Sequence, residues 1–205
     1  MSKFNLIVAE GHWNQYSNHS VKSLFDLLSD LLKSNNHAYK YIQFANPTAF
    51  RSSIKEFVKP KAEYKYLYIG SHGYHDGIYG SDAAKPLTYT VIKNQTGALR
   101  GLYLGTCLFG QPATLIKFIT ESKLTWCAGY KNSVDWVDSS ALDLAFWKIL
   151  EVYNTQQGKK VELSMIENTV KELKAKYSSL ILDLGFNIAI RRKGTSGKDV
   201  IELAF

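Results

Sequence analysis

Two rhythms of apolar residues alternate along the chain. Short β-rich runs occur at residues 4–9, 39–45, 64–71, 101–106 and 124–130, each about as long as a single strand. Between them the apolar spacing stretches to the 3.6-residue period of a helix. Over residues 21–33 that period sets Leu24, Leu27, Leu28, Leu31 and Leu32 on one face. Asn46 and Pro47 open a second helix as N-cap and first helical residue, running to about residue 59. Further helices are predicted over 112–122, 139–153 and 163–180. Residues 73–86 are irregular and punctuated by glycine, with room for a small hairpin. The last apolar runs, 186–192 and 199–203, flank Lys193-Gly-Thr-Ser-Gly-Lys198 and form a hairpin or a final edge strand with a tail.

Strands alternating with helices place the chain in the α/β class, with a mostly parallel central sheet of about six strands and helices on both faces. Right-handed crossovers then bring the carboxyl ends of 64–71 and 101–106 to the same edge of that sheet.

Nothing divides the chain. Four prolines, no linker-like stretch and no repeat leave residues 1–205 as one domain. Hydrophobic residues make up 45% and charged residues 21%, the balance of a protein that buries a core. No apolar run approaches the roughly 18 residues of a membrane span, and residues 4–9 read as a strand rather than a signal peptide. Two cysteines make a disulfide framework unexpected and a reducing cytoplasm the expected compartment. The formal charge of +7 raises the question of nucleic acid. Its late lysines and arginines (159–160, 171–176, 191–193, 198) are interleaved with Glu162, Glu167, Glu172, Asp183 and Asp199. That pattern describes solvated surfaces, with no specific nucleic-acid partner expected.

The chemistry collects at two strand ends. Tyr66-Leu-Tyr-Ile-Gly-Ser-His72-Gly73 and Leu102-Tyr-Leu-Gly-Thr-Cys107-Leu-Phe-Gly110 each stop in small residues at one reactive side chain. In an open parallel sheet, ligands bind outside the carboxyl ends of the strands, so an imidazole would stand beside a thiol. Ionised, Cys107 is a nucleophile; His72 takes its proton and returns it to a leaving amine. The N–H groups of Gly73 and of Cys107 itself are placed to hold the developing oxyanion. Gly105 and Gly110 are expected to admit a bound peptide closely. Taken singly, Cys107 reads as a small buried hydrophobe and His72 as a satisfied polar group. Their shared position at consecutive strand ends favours catalysis.

Other sites fare worse. His72-x-x-His75-Asp76 lacks the third ligand of a catalytic zinc site, and residues 105–110 lack the Lys-Ser/Thr of a phosphate-binding loop, so neither metal nor cofactor is expected. Cys127, Phe146, Trp147 and Met165 read as core. His12, His19 and His37 read as loop or surface residues, with His12 near enough to the first strand's end to line the cleft.

In this order the motifs resemble the caspase-like cysteine peptidases, and most nearly the bacterial CHAT peptidases. The matching pieces are Ser71-His72-Gly73, Thr106-Cys107-Leu108-Phe109-Gly110, Trp126-Cys-Ala-Gly-Tyr130, Val134-Asp-Trp-Val-Asp138 and Ala145-Phe-Trp-Lys-Ile-Leu150. The resemblance implies a three-layer caspase-like sandwich and a cytoplasmic endopeptidase working by a Cys–His dyad without metal. It further implies regulated proteolysis, such as antiviral defence or cell death, with a regulatory protein partner. Three features depart from the pattern. Phe109 stands where small residues are common and would crowd the oxyanion region, no third triad member is visible, and residues 108–123 leave no room for an excised linker.

By the same resemblance, the loops after the first and fifth strands build the pocket for the residue before the cut. Here they offer Glu10, Asp135 and Asp138 and no arginine, so lysine or arginine is the expected substrate residue. The alternative for these carboxylates is a helix cap at Asp138 and a solvated Glu10. The alternative for the whole protein is an inactive binding or scaffold module. Loops 73–86 and 130–137 border the inferred cleft, and at least one is expected to order on binding substrate or a partner.

Overall fold

The computed structural model describes residues 5–13, 19–31, 38–59, 63–82, 84–156, 162–195 and 197–205. Leu32, His37 and the Lys159-Lys160 pair lie outside the described residues. Strands β1 (Asn5–Gly11), β2 (Ala38–Phe44), β3 (Tyr66–Gly70), β6 (Gly101–Gly105), β7 (Trp126–Tyr130), β8 (Phe186–Lys193) and β9 (Asp199–Leu203) form one seven-stranded sheet ordered β2-β1-β3-β6-β7-β8-β9. The first five in that order run parallel; β8 and β9 are antiparallel to their neighbours. The expected sheet of about six strands thus gains an edge, and the chain's last apolar runs form a hairpin. A separate two-stranded hairpin, β4 (His72–Tyr74) with β5 (Gly77–Tyr79), occupies the glycine-punctuated stretch.

The sheet divides the core in two. Alternate side chains of its strands point to opposite faces. Leu6, Val8, Tyr66, Tyr68, Tyr103, Trp126, Tyr130 and Phe186 pack with α1 (Lys22–Leu31), α5 (Trp136–Gln156) and α6 (Glu162–Leu184). Ile7, Ala9, Leu67, Ile69, Leu102, Leu104 and Cys127 pack with α2 (Pro47–Ile54), α3 (Tyr89–Lys93) and α4 (Pro112–Thr120). The result is a three-layer α/β sandwich. One core is strongly aromatic, with Phe146 and Trp147 of α5 at its centre, while the other is mostly aliphatic.

Local signals explain most boundaries. The Asn46 side chain accepts from the backbone N–H groups of Thr48 and Ala49, so α2 begins where Pro47 was expected to start it. It ends at Ile54, five residues short of the expected end. On α1 the inward residues are Phe25 and Leu28, next to Val21, and Leu27 stands half in solvent. Burial therefore follows the 21/25/28 spacing and not the full leucine stripe. Helix α5 starts at Trp136, ahead of the expected 139, because Asp135 accepts the N–H groups of Val137 (2.7 Å) and Asp138 (3.1 Å). Among the described residues, no helix is long and apolar enough to cross a membrane.

Candidate active site

Strands β3 and β6 are parallel neighbours, and Gly70 is level with Gly105 at their last paired position. His72 and Cys107 each follow two residues later, beyond the paired register, His72 at the start of β4 and Cys107 in the turn after β6, so both arise at the same carboxyl edge of the sheet. Both line one cleft of about 260 Å³ at the carboxyl edge, on the aromatic side of the sheet. Its walls are Trp13 and His19 beyond β1, and Val134 and Trp136 beyond β7. Tyr68 and Asp143 line it from strand β3 and helix α5.

Each reactive group is held by backbone. His72 Nε2 lies 2.9 Å from the Trp13 carbonyl oxygen. A carbonyl only accepts, so Nε2 carries the hydrogen and the neutral ring offers Nδ1 as the base. The Trp13 ring also meets the imidazole edge-on at 5.2 Å. Cys107 Sγ accepts the Val134 N–H at 3.4 Å and lies 3.9 Å from the Val134 carbonyl. In this structure both groups are engaged by backbone rather than by each other.

The chain around the thiol is tight. Leu108 has φ 62°, and the Phe109 N–H donates to the Cys107 carbonyl at 2.7 Å. A non-glycine residue in the left-handed region costs about 1–2 kcal/mol, and such strain concentrates at functional sites. Gly73 permits the closest approach. A Cβ there would stand 2.3 Å from the Cys107 carbonyl oxygen and 2.8 Å from Thr106 Cβ. Gly73 is thereby packed against the turn that carries the thiol.

Several expectations need correction. Gly105 lines the cleft, with the Tyr68 ring filling the space where a Cβ would stand, whereas the space beside Gly110 is filled by the end of β7 and Gly110 lies outside the lining, serving internal packing. Phe109 is buried among Phe118 and the aliphatic core, turned away from the oxyanion region. Glu10 is neither solvated nor in the cleft lining. It is 1% exposed, and its oxygens accept from Trp13 Nε1 (2.5 Å), the Val21 N–H (2.8 Å), Ser20 Oγ (2.7 Å) and the Tyr41 hydroxyl. Asp135 caps α5, and Asp138 is exposed in its first turn; neither lines the cleft. His12 is exposed and outside the lining, whereas His19 is within it, stacked on Trp136 at 5.3 Å. His75 and Asp76 form the tip of the β4–β5 hairpin, where Asp76 accepts the Tyr79 hydroxyl. Burial pushes the Cys127 thiol well above its ordinary range, as suits a core residue.

The carboxylate that does reach the cleft is Asp143, which sequence reasoning missed. It is 3% exposed and accepts hydroxyl hydrogens from Tyr68 (2.7 Å, Oδ2) and from Tyr103 and Tyr130 (2.5 Å each, Oδ1). Burial pushes its carboxyl up to about 6, against the three phenols that hold it down. A carboxylate has about four acceptor positions, so Oδ2 keeps one for a further donor. Its signal lay in α5, where Asp143 interrupts the inward stripe of Leu142, Phe146, Trp147 and Leu150.

No family model and no curated protein sequence matches this chain. Among solved structures it is similar to a secreted C11 cysteine protease from Bacteroides thetaiotaomicron, "iotapain". The two superpose with a TM-score of 0.51 at 12% identity, over 93% of this chain and 66% of that one. The chain has the caspase-like fold. Identity that low carries the fold and not the activity, and it does not single out the CHAT peptidases within the caspase-like fold. The chain spans slightly less than two thirds of that protease's length.

Proposed function

We propose that this protein is a cysteine endopeptidase in which Cys107 is the nucleophile, His72 the general base and acid, and Asp143 the floor of a pocket for lysine or arginine. The reading rests on one observation above all: the imidazole and the thiol each follow two residues after the last paired position of adjacent parallel strands and line one cleft. His72 Nδ1 removes the thiol proton, while the Val134 N–H favours the thiolate that results. The thiolate sulfur attacks the peptide carbonyl carbon, and the N–H groups of Gly73 and Cys107 receive the oxyanion. The imidazolium then protonates the leaving amine, and water, deprotonated by His72, hydrolyses the thioester. The Trp13 carbonyl keeps the ring oriented throughout. Catalytic hydrogen bonds are often loose without substrate and tighten when it binds. The separate backbone partners of thiol and imidazole fit an enzyme awaiting its peptide.

The basic preference rests on Asp143 in place of Glu10, Asp135 and Asp138. A cationic side chain entering the cleft past the Trp13–Trp136 pair, whose rings touch edge to face at 4.8 Å, reaches a charge-assisted bond to Oδ2 at the end. Two free cysteines, one at the site and one in the core, suit a reducing cytoplasm. A restrained peptidase of this kind fits CHAT-like regulated proteolysis in defence or cell death, with a regulatory protein partner.

The test is a thiol-reactive peptidyl probe series with lysine, arginine, aspartate or leucine before the warhead. The expected result is labelling at Cys107 that is strongest for the basic probes. Labelling should vanish in Cys107→Ala and fall sharply in His72→Ala. For basic probes alone it should fall about tenfold or more in Asp143→Asn, the scale of one lost charge-assisted contact. No labelling of the native chain with any probe would favour the inactive scaffold, and a preference for aspartate would reject the basic pocket.

A further inference from the structure

One buried carboxylate near the candidate site does not line the cleft. Glu10 follows the apolar run 6–9 as the last residue but one of β1 and is buried on the aromatic side with Leu6 and Val8. A buried carboxylate needs several donors to be tolerated, and this one has four. Two of them are the Ser20 hydroxyl and the Val21 N–H, where the chain enters α1. A third, the Trp13 indole, lies where the chain leaves β1. One carboxylate therefore ties together both described ends of the connection from β1 to α1, and the Tyr41 hydroxyl anchors it to β2. The same Trp13 accepts His72 Nε2 with its carbonyl, packs its ring on the imidazole edge and meets Trp136 at 4.8 Å.

We propose that Glu10 is a positioning residue for His72, acting through Trp13: its grip on the indole N–H fixes the Trp13 carbonyl at the imidazole and thereby selects the tautomer that leaves Nδ1 free for Cys107. This rests on the Cys–His reading above. Without the grip, the Trp13 indole N–H has no other hydrogen-bond partner among the described residues, the carbonyl is held by His72 alone and moves, and both ring nitrogens share the hydrogen. Carboxylates that orient a histidine through its second nitrogen are a familiar device. Here the carboxylate acts at one remove, through a side chain whose own backbone makes the contact.

The test reads the dyad without a peptide substrate. Iodoacetamide alkylation of Cys107, followed by mass spectrometry across pH 5–9, reports the thiolate and its pairing with His72; ¹⁵N shifts of the His72 ring report the tautomer. In the native chain the profile should differ from that of His72→Ala. Trp13→Phe keeps an aromatic ring and the carbonyl but removes the indole N–H. It should slow alkylation at pH 7 about tenfold, the lower end expected for losing an orienting partner, and mix the ring tautomers. Glu10→Ala should do the same, and Glu10→Gln, whose amide oxygen still accepts from the indole, should recover most of the rate. The double variant Glu10→Ala/Trp13→Phe should be no slower than either single one, as expected of residues acting on one path. Tyr41→Phe, which removes a different bond to Glu10, should lower the melting temperature and leave the profile in place. An unchanged profile and tautomer in Trp13→Phe would overturn the positioning role, whether or not Glu10→Ala folds. A native profile identical to that of His72→Ala would instead overturn the dyad itself, and the positioning role with it.

Discussion

Replacing Asp143 by asparagine should change how stability depends on pH, in a direction fixed by burial. In the unfolded chain this carboxyl loses its proton near the ordinary value of 3.8, and in the native state near 6. Below 3.8 it is neutral in both states and costs nothing. As pH rises from 3.8 towards 6, the unfolded state releases the proton while the native state still holds it, so the native state loses ground at every step. At about 1.36 kcal/mol per unit, a difference of roughly two units removes about 3 kcal/mol by neutral pH. Three hydroxyl bonds temper that loss without cancelling it. Asparagine of similar shape carries no charge at any of these pH values, so its stability lacks this slope. Urea denaturation of both proteins at half-unit steps from pH 3.5 to 7.5 isolates the group, because other titrations cancel in the difference. The difference should move by about 3 kcal/mol in favour of Asp143→Asn as pH rises, most steeply between 4 and 6. A flat difference would refute the reasoning. A difference moving the other way would mean that the phenols outweigh desolvation and that Asp143 is an ordinary paired carboxylate.

Other substitutions test the geometry around the thiol. Gly73→Ala should force β4 back by roughly 1 Å from the Cys107 carbonyl, costing about 1–3 kcal/mol of stability as overpacking and about 100-fold in turnover as misplacement; denaturation and peptide kinetics together check it. Leu108→Gly should relieve the left-handed strain and hold or raise stability by up to about 1 kcal/mol, while slowing Cys107 alkylation as the turn loosens. Asp135→Ala should cost about 1 kcal/mol through the lost α5 cap and leave the preference among peptidyl probes unchanged, since Asp135 does not line the cleft.

The strand ends were legible because a parallel sheet leaves little choice: short apolar runs that stop at small residues, joined by right-handed crossovers, must finish along one edge. His72 and Cys107 come from that rule and from their equal distance beyond Gly70 and Gly105. Helix α3 escaped notice because five residues with no side-chain cap leave too short a pattern to read. The partner of His72 escaped for a deeper reason. It is a main-chain oxygen, and residue type at position 13 says nothing about where that oxygen points. For Glu10, strand alternation alone indicates the inward face, since it follows Leu6 and Val8 there. A carboxylate in phase with buried neighbours calls for donors, and the sequence names Ser20, Trp13 and Tyr41 without showing that they converge. Asp143 is hidden in the same way, as one polar letter in an apolar helix stripe.

The two cores on either side of the sheet should respond differently to random substitution. On the aliphatic side, Ile7, Leu67, Ile69, Leu102 and Leu104 belong to a cluster of mostly aliphatic residues, so exchanges among leucine, isoleucine and methionine should be absorbed at small cost. On the aromatic side, Tyr68, Tyr103 and Tyr130 fill volume and also satisfy one buried carboxylate. A change there alters packing and charge together, and the remaining hydroxyls cannot move to compensate. Drift in this sequence should therefore run along one face of the sheet, and the face beneath the cleft should hold its tyrosines as a set, lost together or not at all.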